Sequence, residues 1–306
     1  MSDDVIHRFT FADAPVRGQW VRLTGTLAEA FRNESLPTPA RHLHSEMLAA
    51  VALMADSIKF EGAVALQSRG DGPVGTALAE CRGRNRLRGM VHWDADAGAP
   101  PGAADAGVLG NEPRLKQLLG HGQMAITLIP EAPEARTYQG VVGLADDSLA
   151  RNLEEYFANS EQLPTRLYMA FAEDSVTGML LQRLPASGRP TEVGQDLRDE
   201  AWRELTMLAD TLTGEELGTL GVNDLLTRLF HEHLVTLHPG RELAFSCTCS
   251  RERAERMLQA LPKDEILELL ETRGVVDVTC EVCGARYEYD EVDAHQLYEP
   301  ETPKMH

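Results

Sequence analysis

The sequence predicts an α+β protein with an N-terminal mixed α/β domain, a helical linker and a small C-terminal α+β domain. Three observations carry that reading. Residues 1–183 hold a series of strand-like segments around one long helical pattern. Residues 184–240 open on a Pro/Gly-rich stretch and then show leucines at helical spacing. Residues 241–306 contain four of the chain's five cysteines. At 306 residues the chain is long enough for one large core and a second, smaller unit.

In chain order, VIHRFTF (5–11) and QWVRLTGTL (19–27) alternate like strands. Thr38 is a suitable N-cap, Pro39 fits a first helical position, and Met47, Leu48, Val51 and Met54 form an apolar stripe, predicting a helix over 38–58. A meander follows: GAVALQS (62–68) and VGTALAECR (74–82) flank the turn Arg69-Gly70-Asp71-Gly72, and LRGMVHW (87–93) completes it. Residues 94–113, rich in Ala, Gly, Asp and Pro, read as an exposed loop. GQMAITLIP (122–130) and TYQGVVGL (137–144) are strands, a helix is expected at 147–160, and TRLYMAFA (165–172) and TGMLLQRLP (177–185) are the last strands. Gly70, Gly72 and Gly140 read as turn or bulge glycines.

PASGRPTEVGQ (185–195) is a linker by composition. Helical periodicity over 196–237 then places Leu197, Trp202, Leu205, Leu208, Leu212, Leu217, Leu220, Leu225, Leu226, Leu229 and Phe230 on apolar stripes. Between Glu192 and Glu216 eight acidic residues stand against two basic ones, Arg198 and Arg203. Like charges one turn apart cost a few tenths of a kcal/mol each, so this segment is expected to lean on another surface. The expected support is the N-terminal sheet, with the leucine stripe and Trp202 packed against it.

Bulk composition narrows the function. A formal charge of −19 repels phosphate backbones and argues against nucleic acid as a general partner. The N-terminus MSDDVIHRFTF lacks the basic start and apolar core of a secretory signal, and no run of about 18 apolar residues marks a membrane span. The expected compartment is the cytoplasm, where thiols stay reduced and clustered cysteines favour metal over permanent disulfides. No Ser-His-Asp, P-loop or GxGxxG pattern points to an enzyme.

The C-terminal cysteines are Cys247-x-Cys249, a gap of 30 residues, then Cys280-x-x-Cys283. Between them Ser250 can cap a helix to about Leu261, Pro262 interrupts, and Asp264 can cap a second helix ending at Gly274. VVDVT (275–279) delivers Cys280, and ARYEYD (285–290) alternates as its partner strand. Four thiolates converging to roughly 4 Å of one another make a closed tetrahedral zinc site with no position left for water, a structural or switching site rather than a catalytic one. So Cys247, Cys249, Cys280 and Cys283 are the expected ligands of one Zn²⁺ per chain in the reduced state. Two local disulfides, four unrelated thiols or a thioredoxin-type pair are the competing readings. The last fares poorly because a strand, not a helix N-terminus, follows Cys283. A zinc-deaminase pattern fails for want of a Pro before Cys280 and a suitably placed His-x-Glu.

Cys81 reads as a buried core thiol. Arg82, Arg84, Arg86 and Arg88 read as a solvated face balancing nearby acids, and His231-Glu232-His233 as a helix end.

FSCTCSRER…L…CEVCGARYEYD resembles the C-terminal zinc motif of the redox-regulated 33 kDa heat-shock chaperone family, also called the 33 kDa chaperonin. RGQWVRL, LQSRGDGPVGTALAEC, YQGVVGL, YFANSEQLPT, GMLLQRLP and LLTRLFHEH resemble that family's blocks in its order, so the likeness covers nearly the whole chain. The 94–113 loop is more Ala/Gly-rich than the family norm but touches no motif residue. The resemblance implies a cytoplasmic, ATP-independent holdase that is inactive when reduced and zinc-bound. It implies a redox switch in which oxidation forms Cys247–Cys249 and Cys280–Cys283 disulfides, releases zinc, unfolds the C-terminal module and loosens the linker. It further implies unfolding client proteins as partners and a homodimer when oxidised. A thiol-disulfide oxidoreductase and a constitutive zinc-module binding protein are the alternative functions.

Overall fold

In the computed structural model, residues 4–32, 36–58, 60–97, 115–132, 134–185 and 194–298 are described. Most of the 94–113 loop and of the 185–195 linker lies outside them. The chain divides into two units, one running to Ser246 and the other starting at Cys247.

The first unit begins with β1 (Val5–Phe11), β2 (Val16–Leu23), a short α1 (Gly25–Ala30) and α2 (Thr38–Ser57). It continues with β3 (Gly62–Arg69), β4 (Val74–Arg82), β5 (Arg86–Trp93), α3 (Leu115–Leu119), β6 (Gln123–Pro130), β7 (Tyr138–Val142), α4 (Leu149–Asn159), β8 (Thr165–Phe171) and β9 (Val176–Arg183). The linker forms α5 (Gln195–Ala209), α6 (Gly214–Thr219) and α7 (Val222–Phe230), followed by three very short strands, β10 (Val235–Leu237), β11 (Arg241–Glu242) and β12 (Ala244–Phe245). One sheet has the order β10-β1-β2-β9-β8, with β11 also on β1; the other has the order β12-β5-β4-β3-β6-β7.

Helix α2 is the centre of the first unit. Every residue in it except Thr38, Arg41 and His42 is buried. Leu43, Met47, Leu48, Val51 and Met54 share one core with Val21, Leu23 and Leu180 of the first sheet and Val64, Leu66 and Ala77 of the second. Each such side chain contributes about 1.5–3 kcal/mol when withdrawn from water. Burial this complete strands polar groups, and those at the end of the helix are met. Asp56 near the C-terminus of α2 takes Arg8 and Arg241, while Arg17 donates to Ser57 O at 2.6 Å.

The expected helix stands, one residue displaced at its start: Pro37 is the N-cap and Pro39 lies within the first turn. The expected 19–27 strand stands only as far as Leu23, and it starts earlier, at Val16. Asp4 accepts from Thr24 N (2.6 Å), Gly25 N (2.9 Å), Thr26 N (2.6 Å) and Thr26 Oγ1 (2.5 Å), and this cradle turns the chain out of β2 into α1. Gly140 lies inside β7 rather than in a turn or bulge; a Cβ there would stand 2.3 Å from the Tyr156 hydroxyl, so close approach explains it.

His44 sits fully buried in α2, its ring 5.3 Å from Phe31 and its Nε2 in the space a Cβ on Gly89 would fill. Burial pushes its pKa down to about 4. Between pH 6.5 and 4 the unfolded chain therefore binds a proton that the folded chain refuses, and stability falls on acidification, by about 3 kcal/mol in full. Urea midpoints measured from pH 7 to pH 4.5 are expected to drop more steeply for the native protein than for His44→Gln.

The first sheet is apolar on both faces. Ile6, Val21, Leu23, Val176 and Leu180 face α2; Phe9, Phe11, Val16, Trp20, Met179 and Leu181 face the opposite way. That outer face is covered by the linker helices through Leu205, Ala209, Leu217, Val222, Leu225, Leu226, Leu229 and Phe230, with Trp202, Leu208, Leu212 and Leu220 at the margin. The expected packing of the linker on the sheet is thus present, with one exception: Leu197 is 59% exposed. Helical structure also stops earlier than 237, because Val235–Leu237 pairs with Phe9–Phe11 as a strand.

The second unit contains α8 (Arg251–Gln259), α9 (Lys263–Arg273), β13 (Val276–Thr279), β14 (Arg286–Tyr289) and α10 (Glu291–Leu297). Its core is small: Ala254, Leu258, Ile266, Leu270, Val276, Tyr289 and Ala294. Ser250 caps α8 as expected, and Gly274, at φ 73°, ends α9. Pro262 rather than Asp264 starts α9, leaving Asp264 in the first turn, where its charge complements the helix dipole.

Candidate thiol and metal centre

The two cysteine pairs are delivered by different devices. Cys247 and Cys249 lie on irregular chain between β12 and the capped start of α8. Cys280 and Cys283 bracket a tight knuckle at the end of β13. Gly284 N donates to Cys280 O and Cys280 N donates to Ala285 O, both at 2.8 Å, and Gly284 adopts φ 70°, which costs a residue with a side chain but not glycine.

All four Sγ atoms lie within 4.8 Å of one another, half-buried and without a disulfide among them. Two Sγ–Sγ contacts run between the pairs, Cys247–Cys280 at 3.7 Å and Cys249–Cys283 at 3.4 Å. A tetrahedral ion with metal–sulfur bonds of about 2.3 Å separates its sulfurs by roughly 3.8 Å. The donor set therefore fits a closed four-thiolate site, and thiolate softness favours zinc among common divalent ions.

The thiols are not equivalent. Burial raises the pKa of Cys283 strongly, with the neighbouring thiols adding to the shift; burial also raises Cys247. Burial acts the same way on Cys249 but is outweighed by hydrogen bonds from Tyr287 and from Cys283, so this thiol lies below its ordinary value. The Tyr287 hydroxyl donates to Cys249 Sγ at 3.1 Å. Sequence reading did not single out Tyr287, because its role depends on β14 pairing with β13, Tyr287 opposite Val278. Arg251, whose guanidinium lies 4.4 Å over the Tyr289 ring and 2.9 Å from Asp293, ties the start of α8 to α10.

The remaining sequence-marked residues lie in the first unit. Cys81 is fully buried on β4, its pKa raised to about 12 by burial, as a core thiol should be. Arg82 and Arg88 flank the buried Glu80 at 3.3 and 2.7 Å; Arg84 occupies the turn between β4 and β5, and Arg86 begins β5. His231 caps the end of α7, as expected of a helix end. His233 does more: Nδ1 meets Asp13 at 3.0 Å and Nε2 stands 3.7 Å from Glu204 of α5.

Polar ties also hold the linker helices down. Arg22 of β2 donates to Leu217 O (3.4 Å), Gly218 O (3.1 Å) and Leu220 O (2.9 Å) at the end of α6 while lying 4.9 Å over the Trp20 ring. Tyr168 donates to Asp210 at 2.7 Å, Arg166 to the same carboxylate at 3.3 Å, and Arg183 pairs with Asp199. A charged donor on backbone acceptors contributes about 1.5–3 kcal/mol. Arg22→Met is expected to raise amide exchange in α6 at least tenfold with little change in α2, read by hydrogen–deuterium exchange.

Among the described residues no helix is long and apolar enough to cross a membrane. Residues 4–290 match a family model described as Hsp33 protein. The chain is 38% identical over 310 residues to the 33 kDa chaperonin of Cronobacter sakazakii, covering 99% of both. It is 38% identical over 297 residues to that of Chromobacterium violaceum, covering 97% of this chain and 94% of the relative. The crystal structure of the Thermotoga maritima 33 kDa chaperonin, a heat shock protein 33 homolog, shares the fold with a TM-score of 0.75 at 22% identity, covering 96% of this chain and 97% of that one. The relatives are named as chaperonins and not as enzymes. With its four-cysteine centre, its shielded apolar sheet and a family match over nearly its whole length, the chain belongs to the Hsp33 family of chaperones.

Proposed function

We propose that the chain is a redox-regulated, ATP-independent holdase, and that Cys247, Cys249, Cys280 and Cys283 are both its zinc ligands and its switch. The observation that carries this is the convergence of four reduced sulfurs within 4.8 Å in a unit whose own core is seven buried residues. When bound, zinc supplies the cross-link that such a core lacks and holds the four sulfurs as thiolates. In each oxidation two thiolates give two electrons to hydrogen peroxide, which takes two protons from solvent, leaving one disulfide and two waters. Cys247–Cys249 and Cys280–Cys283 are the proposed products, supported by family resemblance and by the one- and two-residue separations.

A disulfide is a poor ligand, so oxidation removes donors from the site and the second unit loses its main support. Unravelling then has a covalent path upstream: β12, β11 and β10 follow α7 directly and end just before Cys247. Release of α5–α7 would bare Phe9, Phe11, Val16, Trp20, Met179 and Leu181, an apolar sheet face suited to unfolding clients. A homodimer in the oxidised state and a cytoplasmic site of action belong to the same proposal, as does the absence of nucleic-acid and membrane partners.

One titration tests it. Reduced protein treated with peroxide at mild heat should release one zinc per chain and begin to suppress aggregation of a thermally unfolding client over the same oxidant range. Zinc release without client protection would overturn the holdase assignment. Protection that ignores oxidant would indicate a constitutive zinc module, and turnover of a small disulfide substrate an oxidoreductase.

A further inference from the structure

The edges of the two large sheets are treated differently. At β8 the outward Leu167 N donates to Glu154 Oε1 of α4 at 2.8 Å, so a side chain occupies that edge. The opposite edge of the same sheet, and one edge of the second, end in β10, β11 and β12, each of two or three residues. The edge at β7 differs. Among the described residues nothing pairs with its outer side, and it runs five residues, Tyr138–Val142.

This edge also lacks the usual protection. Exposed edge strands ordinarily carry lysine, proline or inward charge to prevent further pairing. Residues 137–145, TYQGVVGLA, hold no charged residue and no proline in a chain with 48 acidic side chains. Val141 is 74% and Tyr138 50% exposed. Tyr138, Gly140 and Val142 stand opposite Leu128, Ile126 and Met124, which puts them on the inner face, with Gln139 and Val141 on the outer face.

A cavity of about 240 Å³ opens beside the inner face. It is walled by Ile126, Leu128, Tyr138, Tyr156, Phe157 and Leu163. Its polar rim includes Glu161, which accepts from the Tyr156 hydroxyl at 3.1 Å. An open strand edge supplies main-chain hydrogen bonds, and a neighbouring apolar cavity supplies a place for alternate side chains. Together they make the recognition mode of strand addition.

We propose that β7 accepts an extended, uncharged segment of a non-native polypeptide as an added strand, one of its apolar side chains entering the Tyr138–Tyr156 cavity. The inference rests on the holdase reading for the nature of the partner and deepens it by naming the conformation recognised. A second copy of this chain is a poorer occupant, since a five-residue edge offers far less than the roughly 1,000 Å² a stable interface buries.

The test uses the oxidised, full-length protein and a fluorescein-labelled seven-residue peptide alternating Val and Thr, followed by anisotropy. Saturable binding is expected, weakened at least tenfold by Val141→Lys and by N-methylation of alternate peptide amides. Val292→Lys, on an exposed position of the second unit, should leave it unchanged. No binding, or equal binding by native protein and Val141→Lys, overturns the proposal. So does a concentration-dependent rise in native mass that Val141→Lys abolishes, which would assign the edge to self-association. Client protection by the oxidised native protein is measured in parallel. If protection persists while the peptide shows no dependence on β7, this inference fails and the holdase stands; if the peptide binds through β7 but oxidised protein never protects clients, the holdase fails and the edge site stands.

Discussion

Replacing Cys280 with serine is expected to abolish stoichiometric zinc binding and to leave residues 247–298 unprotected from amide exchange, while α2 and both large sheets keep their protection. The expectation follows from comparing two contributions. The buried side chains of the second unit include two alanines, and the unit's three helices are of seven to eleven residues, too short to persist alone in water. Four-thiolate coordination contributes on the order of 10 kcal/mol, more than such a core supplies. Losing one ligand leaves three sulfurs and an open position, and the remaining interactions do not offset the conformational entropy of ordering some fifty residues. Zinc content by a colorimetric chelator and exchange by mass spectrometry read the two halves of the result independently. Retention of ordered α8–α10 without metal would show that the unit folds on its own core and would remove the energetic basis of the switch.

Phe230→Ala is expected to uncover the outer sheet face without any oxidant. The Phe230 ring is buried at the end of α7, edge-on to Phe11 at 5.1 Å and tilted against Phe9 at 6.4 Å. Truncation to alanine costs about 3–5 kcal/mol for a ring so enclosed. That cost falls on one locally stable layer, because α5–α7 rest on the sheet through one apolar stripe and a few polar ties and carry an acidic surplus along α5 and α6. Hydrophobic-dye fluorescence should therefore rise at 30–37 °C with all four cysteines of the centre still reduced by thiol titration, and the reduced variant should protect a client. Leu153→Ala, in the inner core, is the control. It should lower global stability by a similar amount without raising dye binding below the melting transition. Equal dye binding by both variants would mean that the linker layer does not open separately.

Local chemistry made much of this protein legible in advance. The spacing Cys-x-Cys and Cys-x-x-Cys, with Gly284 behind the second pair, needs only short-range backbone geometry to present sulfurs, and the structure brings all four together. Helix α2 announced itself through Pro39 and an apolar stripe, and the linker through leucines at helical period, because amphipathic patterns report burial against whatever partner is available. Strands β3 to β6 alternate or run apolar in the manner of sheet interiors, and β3, β4 and β5 form the expected meander, whereas β6 returns to pair with β3.

What sequence could not decide were the features whose stabilising partners lie far away. Strands β10 to β12 contain two or three residues each and exist only because β1 and β5 present edges more than 150 residues earlier. The turn from β2 into α1 depends on Asp4, twenty residues upstream; the role of Tyr287 depends on a hairpin that sets it against Cys249. Helix α10 was missed because its capping box is Asp290 with Asp293 rather than the usual hydroxyl with glutamate. So the residue pattern alone settled which atoms can grip a metal and which helices are sticky. Only tertiary structure settled that the sulfurs of both pairs meet within 4.8 Å, that the sticky stripe lies on a sheet apolar on both faces, and that nothing among the described residues pairs with the outer side of β7. The physical reason is that coordination and periodicity are set within a few residues along the chain, whereas pairing, coverage and exposure are set by whichever distant segment arrives in space.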